Sequence, residues 1–142
     1  MKKTLTAVLA MLLILASVFT LSACFDTVEA EGLWENATYR RDMSFGNGEK
    51  TVKVEVKVGE DSVTFTVKSD EKYLGDALAE HGLIEGEEGQ FGLYIKKVNG
   101  MLADYDVDRS WWGFYKNGEY QMLGIDLTEF ADGEHYELVY ER

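Results

Sequence analysis

The first side chains that could do chemistry are the carboxylates of DYDVD, Asp104 to Asp108. Carboxylate oxygens are the ligands that Ca²⁺ prefers. An EF-hand loop beginning at Asp104 would need Gly at its sixth position and Glu at its twelfth. Arg109 and Tyr115 occupy those positions, so the sequence excludes an EF-hand. A weak Ca²⁺ site and a solvated charged loop remain as alternatives.

Histidines and glutamates supply the other candidate chemistry. His81 and His135 are the only histidines, and neither has a third ligand at a spacing typical of zinc sites. Glu85, Glu87 and Glu88 could share acid–base work, but such an acidic loop is usually just solvated. The chain has no Gly-x-Ser-x-Gly elbow and no phosphate-binding glycine loop. The sequence therefore favours a protein that is not an enzyme and that has no metal or cofactor.

An aromatic cluster lies in SWWGFYKNG, Ser110 to Gly118. Asn117-Gly118 between alternating runs predicts a hairpin with a type I′ turn, because both turn positions need positive φ. Alternation from that turn divides the hairpin into two faces. One face comprises Trp111, Gly113, Tyr115, Tyr120 and Met122. The other comprises Trp112, Phe114 and Leu123, with Lys116, Glu119 and Gln121 near the tip.

The second face is expected to point outward, because it carries the charged side chains. Trp112 and Phe114 would then form an exposed aromatic platform, and Lys116, Asn117 and Gln121 would offer hydrogen-bond donors beside it. Such a platform suits a small, flat, partly polar ligand. The alternative is that both faces are buried, because aromatic residues fill small cores as often as they mark binding surfaces.

The N-terminus is typical of a secretory signal. Lys2 and Lys3 precede an uncharged apolar stretch, residues 5–21, which runs into LSAC. This ending resembles the lipobox of bacterial lipoproteins, which implies cleavage before Cys24 and attachment of lipid to it. Cys24 is also the only cysteine, and a lone thiol is a liability in an exported protein. A membrane-spanning anchor and an incidental free cysteine are the alternatives.

The mature chain is strongly acidic. The full chain has 14 basic and 26 acidic residues and a formal charge of −12. Loss of Lys2 and Lys3 with residues 1–23 leaves 12 basic residues against 26 acidic ones, a charge of −14. Such a field excludes nucleic acid as a partner and argues against docking on anionic lipid through a basic patch. The acyl chains are therefore expected to hold the protein at the extracytoplasmic face of the cell membrane.

Residues 24–50 have no sustained period and mix charges with Gly, Asn, Ser and Thr. They predict a tether that is ordered in part at best, although Trp34 and Tyr39 can dock on the domain. From Thr51 the pattern changes. TVKVEVKV and VTFTVK both alternate apolar with polar residues, which predicts a two-stranded hairpin around GEDS.

The stretch SDEKYLGDALAEHGL predicts one short amphipathic helix. Its apolar face comprises Leu74, Ala77, Leu78 and His81. Ser69 or Asp70 can cap its first turn, and Gly82 can end it in the left-handed conformation. IEGEEGQ is predicted as an acidic loop and LTEFADGE as a turn or short helical segment. FGLYIKKVNG, the aromatic hairpin and HYELVYER supply the remaining strands.

The predicted element order is β-β-α-β-β-β-β. One short helix covers only one face of such a sheet, which predicts a two-layer α+β domain. The organisation is then a lipoprotein signal peptide (1–23), a lipidated cysteine and tether (24–50), and one domain (51–142).

Three stretches, taken in order, resemble a known family. YLGDAL opens the helix, GLYIKKVNG follows the acidic stretch, and WWGFYKNG leads through GID to DGEHYELVY. They resemble the β-grasp domain at the C-terminal end of transcobalamin and intrinsic factor, which also occurs alone in bacterial surface lipoproteins of unassigned function. The resemblance covers roughly residues 50–142. It implies a ubiquitin-like core, with a mixed sheet under one short helix and an added C-terminal hairpin.

The resemblance also implies a ligand class. In the vertebrate carriers this domain closes over cobalamin together with a helical domain, which this sequence lacks. The expected function is therefore a membrane-tethered extracytoplasmic lipoprotein that captures a corrinoid or cobalamin-like ligand for uptake, with a transporter or another surface protein as partner. The alternative is a cell-surface module that binds protein or glycan and takes no small molecule.

Overall fold

The computed structural model describes residues 26–142, so the predicted signal and Cys24 lie outside the described residues. The larger of two sheets contains β1 (Met43–Gly46), β2 (Lys50–Val58), β3 (Asp61–Ser69), β7 (Trp111–Lys116), β8 (Glu119–Tyr120) and β9 (His135–Glu141). The smaller contains β4 (Ile84–Gly89), β5 (Gly92–Val98) and β6 (Met101–Leu102). The α-helices are α1 (Leu74–Ala79) and α2 (Tyr105–Asp108), and 3₁₀ turns span Gly32–Asn36 and Ile125–Leu127.

The larger sheet has the strand order β1-β3-β2-β9-β7-β8. β2 and β3 form the predicted hairpin, with Val54 opposite Phe65. β2 also pairs in parallel with β9, which sets Val54 beside Tyr136. β7 and β8 form the predicted hairpin near the C-terminus, and β9 enters the sheet between β2 and β7 as a single strand. The remaining strands form the smaller sheet.

One face of the larger sheet is the core, as the alternation predicts. Its buried residues are Val52, Val54, Val56, Val63, Phe65, Val67, Phe114, Tyr136 and Leu138. Side chains of α1, of the smaller sheet and of the Ile125–Leu127 turn belong to the same buried cluster. The fold is therefore mixed α+β, and a small sheet adds to the cover that the helix provides.

The helix α1 buries Leu74, Ala77 and Leu78 of the predicted apolar face and ends as predicted, while His81 follows the helix and is half-buried. Gly82 has a φ of +67°, and the Leu83 amide donates to the Leu78 carbonyl at 3.1 Å. The predicted N-cap is wrong, because Tyr73 occupies that position without a side-chain bond. Ser69 is still part of β3, and Asp70 accepts a hydrogen bond from another segment. Among residues 26–142, no helix has the length and apolar character needed to cross a membrane.

The acidic stretch after α1 is the strand β4 and not the predicted loop. β4 pairs antiparallel with β5, with Glu87 opposite Tyr94 and Glu88 opposite Leu93. Ile84 is buried and the rest of β4 is exposed, so the sequence carries no alternating signal there. β4 is an edge strand, and its charges discourage pairing with other chains.

The described part of the predicted tether packs onto the domain. β1 pairs in parallel with β3, and Trp34 is only 4% exposed. Asn99 is buried between β5 and β6, where it accepts from the Tyr39 amide at 2.9 Å and donates to the Tyr39 carbonyl at 2.7 Å. Trp34 and Tyr39 dock on the domain as expected, and the rest of the described segment is more ordered than the tether interpretation predicted. Its apolar residues reach the core but are spaced too irregularly to produce a period.

Candidate ligand-binding cleft

The faces of the aromatic hairpin are the reverse of the prediction. Its turn forms as expected, since Asn117 and Gly118 have φ of +49° and +82° and Tyr115 pairs with Tyr120. Trp112 and Phe114, however, are only 5% and 6% exposed. The predicted exposed platform therefore does not form.

Pairing with β9 decides which face of β7 is buried. Phe114 lies opposite Leu138, a residue of the core face. Opposite residues on neighbouring strands point to the same face, so Phe114 and Trp112 both join the core. The Phe114 ring stacks on Tyr136 with 5.6 Å between centroids, and the Trp112 indole donates to the Met101 carbonyl at 3.1 Å.

Lys116 shares the face of Phe114 but bonds to another part of the fold. It lies opposite Tyr136, and its Nζ is 2.9 Å from a Glu134 carboxylate oxygen. The Tyr136 phenol donates to the same carboxylate. Burial opposes ionisation there, yet the pKa of Glu134 lies below its ordinary value because Tyr136, the Ala131 amide and Lys116 all donate to it. The Lys116 charge, which suggested an outward face, is thus paired with Glu134, and the Lys116 side chain stays partly exposed.

A cleft of about 210 Å³ lies where β7 and β8 meet the tip of the β4–β5 hairpin. The buried residues that line it are Trp112, Phe114 and Ile125. The exposed apolar residues that line it are Phe91, Tyr94, Tyr120, Met122 and Leu123. Phe91 is 66% exposed and Met122 is 77% exposed. Large apolar side chains exposed together around a concavity mark a binding surface.

Two glycines hold one wall of the cleft in place. A methyl group on Gly92, whose φ is +111°, would lie 2.7 Å from the Asp126 carboxylate and 2.9 Å from the Gly124 Cα. The Gly124 amide donates to the Phe91 carbonyl at 2.9 Å, and the Leu93 amide donates to Asp126 at 2.7 Å. The stretches Gly92 to Tyr94 and Gly124 to Asp126 therefore meet at this wall.

Three of the five residues predicted to bind a ligand line the cleft. Trp112 and Phe114 form its buried floor, and Gln121 lies at its rim. The Gln121 amide donates to the Phe114 carbonyl at 2.8 Å, which continues the hairpin beyond β8. Lys116 and Asn117 do not line the cleft.

The sequence interpretation missed Phe91, Tyr94 and Met122. Met122 was assigned to the buried face, and the other two were counted only as strand residues. One signal could have pointed to Phe91. It stands in a hairpin turn between Gln90 and Gly92, where polar residues are usual.

The acidic run Asp104–Asp108 caps a helix and a turn. The Asp104 carboxylate accepts from the Asp106 amide at 3.1 Å. Asp108 accepts from the hydroxyl and the amide of Ser110, and these bonds hold the pKa of Asp108 below its ordinary value. No group of three His, Cys, Asp or Glu side chains in the described range is placed to hold a metal ion.

The two histidines have different neighbours. His81 follows α1 and stacks on Phe45, with 5.4 Å between ring centroids. His135 begins β9, and its Nε2 lies 3.8 Å from the Glu55 carboxylate. Each histidine therefore has a structural neighbour within the fold.

Residues 72–142 match a family described as "Domain of unknown function (DUF4430)". The chain belongs to the DUF4430 family. The matched residues of this DUF4430 protein run from α1 to β9 and include every residue that lines the cleft. No curated protein matches the chain.

Two solved structures are similar to this DUF4430 protein. One, from Ruminococcus gnavus ATCC 29149, is described as a "putative metal binding protein". It is 36% identical with a TM-score of 0.62, over 66% of this chain and 98% of that chain. The other is haptocorrin in complex with Cbi, which is 20% identical with a TM-score of 0.52, over 69% of this chain and 26% of haptocorrin. The second likeness concerns the fold alone.

Proposed function

We propose that this DUF4430 protein is an extracytoplasmic binding lipoprotein whose cleft receives one face of a flat, largely apolar ligand of the corrinoid class. The observation that carries the proposal is the group of exposed apolar side chains around the buried floor of Trp112 and Phe114. The fold likeness to haptocorrin in complex with Cbi and the resemblance to transcobalamin-type domains support the ligand class. Its action is binding and not catalysis.

We also infer that the domain is a β-grasp. In the order β3-β2-β9-β7-β8, the first hairpin lies beside the last strand, and β2 runs parallel to β9. Residues of α1 pack in the core below these strands. This is the arrangement that the ubiquitin-like ββαββ core requires, with β1 and the smaller sheet as additions.

The size of the cleft limits how tightly the domain alone can bind. Ligand pockets usually measure about 300–1,000 Å³, and this cleft has about 210 Å³. The cleft covers only one face of a ligand, and burial of apolar surface contributes ~25 cal/mol per Å². Little net binding free energy therefore remains after the entropic cost of association. We therefore expect about micromolar affinity or weaker, and tighter binding when a partner such as a transporter covers the other face.

The anchoring part of the proposal concerns Cys24. The lipobox-like ending LSAC, the lone thiol and the acidic body support acylation at this residue. The acyl chains would hold the domain on the extracytoplasmic face of the cell membrane, close to its membrane partners.

Calorimetry with cobinamide and cobalamin tests ligand binding on the chain that begins at Cys24. We expect measurable heat with the unmodified chain and about a tenfold loss of affinity for Phe91→Ala or Met122→Ala, because each removes apolar contact. Val107→Ala is the matched control, since Val107 is 81% exposed and does not line the cleft. No heat with either corrinoid at millimolar concentration would exclude this ligand class. Equal affinity of Met122→Ala and Val107→Ala would place the ligand elsewhere.

The second candidate is a surface module that binds protein or glycan through the same cleft. The exposure of Met122 beside Leu123 favours it, because methionine side chains adapt well to varied partners. A glycan array with the unmodified chain and with Met122→Ala separates the candidates. Glycan binding that Met122→Ala abolishes, without heat from corrinoids, would favour this second function.

A further inference from the structure

The chain enters the fold beside two arginines. The Val28 amide donates to the Arg40 carbonyl at 2.7 Å, and the Arg40 guanidinium donates to the Val28 carbonyl at 3.0 Å. Arg41 follows and is exposed. The sequence has only four arginines. Two of them, Arg40 and Arg41, lie where residues 27 and 28 join the domain.

A polar cavity of about 370 Å³ lies at this entry point. Its lining residues, which we call the arginine cavity, are Thr27, Thr38, Tyr39, Arg40, Arg41 and Met43. No carboxylate of residues 26–142 lines it. The neighbouring acid Asp42 accepts from the Thr64 amide at 2.8 Å and is not among the lining residues. Neither arginine forms an ion pair with another residue of the described range.

The arginine cavity is held rigidly to the domain. The Thr38 amide donates to the Asn99 carbonyl at 2.9 Å, and the Asn99 side chain pairs with both backbone groups of Tyr39. Met43 begins β1, which pairs with β3. A ligand in this cavity would therefore fix the orientation of the whole domain.

Cys24 precedes Thr27 by three residues, and three residues span at most about 11 Å. A lipid on Cys24 would therefore keep the arginine cavity within reach of the head groups. Guanidinium and hydroxyl groups are the donors that bind phosphate oxygens. Attachment of Cys24 to the membrane would also hold the cavity at a high effective concentration of head groups. An arginine–phosphate contact that is weak in solution would then be populated.

We propose that the arginine cavity binds the phosphate group of a membrane phospholipid and thereby sets the orientation of the anchored domain. The inference rests on the anchoring part of the proposed function. The charge of the whole chain suggested that no basic patch would meet lipid, but that sum hides a local cluster. Charges farther than about 8 Å are largely screened at physiological salt, so the contact depends on the two guanidinium groups and not on the net charge of the chain. Asp26 and Glu29 adjoin the entry segment in the sequence but do not line the cavity.

The test couples the chain that begins at Cys24, through its single thiol, to a maleimide lipid in vesicles. This chain contains every described residue and the whole core, and the coupling makes the result independent of acylation in cells. One vesicle preparation is phosphatidylcholine, and the other is digalactosyldiacylglycerol, which has no phosphate. A third sample is the uncoupled chain with millimolar inorganic phosphate. The rate of phenylglyoxal modification is measured at each arginine by mass spectrometry.

We expect Arg40 and Arg41 to react at least about fivefold more slowly on phosphatidylcholine than on the galactolipid, as charge-assisted hydrogen bonds imply. Arg109 is the internal control and should react equally on both. Equal rates for Arg40 and Arg41 on the two lipids would overturn the proposal, since nearness to a surface would then explain any protection. Equal protection by inorganic phosphate alone would overturn the lipid source. Failure of Cys24 to be acylated in cells would count against the anchor and leave this result standing.

Discussion

The Leu93 amide donates a hydrogen bond to the Asp126 carboxylate at 2.7 Å, across 33 residues of sequence. The bond joins the start of β5 to the 3₁₀ turn at Ile125–Leu127. Beside it, Gly92 and Gly124 approach so closely that a Cβ on Gly92 would lie 2.9 Å from the Gly124 Cα. One wall of the cleft therefore depends on two backbones that only glycines can bring together.

Gly92→Ala should destabilise the domain by about 2–4 kcal/mol and weaken ligand binding. The added methyl group would overlap the Asp126 carboxylate, and the positive φ would strain the backbone of an alanine. Urea unfolding measures the loss. Gly59→Ala is the matched control, since Gly59 has a φ of +62° and no atom within 4 Å of its would-be Cβ. It should cost only about 1–2 kcal/mol. Equal losses would mean that the close approach contributes nothing.

Trp112→Ala should cost about 3–5 kcal/mol in unfolding free energy, because it empties a buried site and removes the donor to the Met101 carbonyl. Trp111 is the natural comparison. It is only partly buried and lies on the other face of β7, so Trp111→Ala should cost less than about 2 kcal/mol. Chemical denaturation of both variants measures the difference. A larger loss for Trp111→Ala would contradict the assignment of faces.

Asn99→Ala should release the N-terminal segment, because the Asn99 amide makes two hydrogen bonds to the Tyr39 backbone. The expected loss is about 2–4 kcal/mol, together with faster trypsin cleavage after Arg40 and Arg41. Asn117→Ala is the control, since Asn117 has nearly the same φ, +49° against +51°, but is exposed in its turn. If both variants lose the same stability, the loss comes from the positive φ of alanine at these positions and not from the hydrogen bonds of Asn99 to Tyr39.

Glu137 should make stability depend on pH in the acid range. Its carboxylate lies 2.5 Å from the Lys57 Nζ, and this hydrogen bond lowers the pKa of Glu137 even though burial opposes the shift. A pKa that is lower in the folded state stabilises the fold above the ordinary value of 4.5. That contribution is lost as the pH falls through the folded value.

Glu137→Gln should therefore lower Tm at neutral pH, by the equivalent of about 0.5–1 kcal/mol, and show a shallower decline below pH 4.5. Thermal melts from neutral to acid pH measure both effects. Glu60→Gln, at an exposed turn position, should follow the unmodified chain. If the Tm of Glu137→Gln and of the unmodified chain fall in parallel with pH, the lowered pKa of Glu137 does not cause the pH dependence.

Cys24 should carry lipid in a bacterial host that processes lipoproteins. Cells fed an alkyne palmitate should label the unmodified chain, and Cys24→Ala should remove the label because no other cysteine is present. Click labelling followed by gel fluorescence measures incorporation. Equal label on both proteins would end the anchoring proposal.

Local pattern was sufficient for several elements. The alternating valines predicted β2 and β3, because one buried face imposes a period of two on a strand. The spacing of Leu74, Ala77 and Leu78 predicted the buried side of α1. Asn117-Gly118 predicted the register of the hairpin, because few residue pairs accept two positive φ angles. Each of these signals depends on residues within about one turn or one strand.

The sequence by itself therefore determined β2, β3, α1 and the turn at Asn117-Gly118, but it missed β1 and β4 and did not determine which face of the aromatic hairpin is buried. That choice depends on β9, which sets Phe114 opposite Leu138, and alternation alone treats both faces of β7 alike. The cleft and the arginine cavity also arise only in three dimensions. Phe91 and Met122 line one cleft, and the Val28 backbone bonds to Arg40, although the separation of these segments leaves no period in the chain.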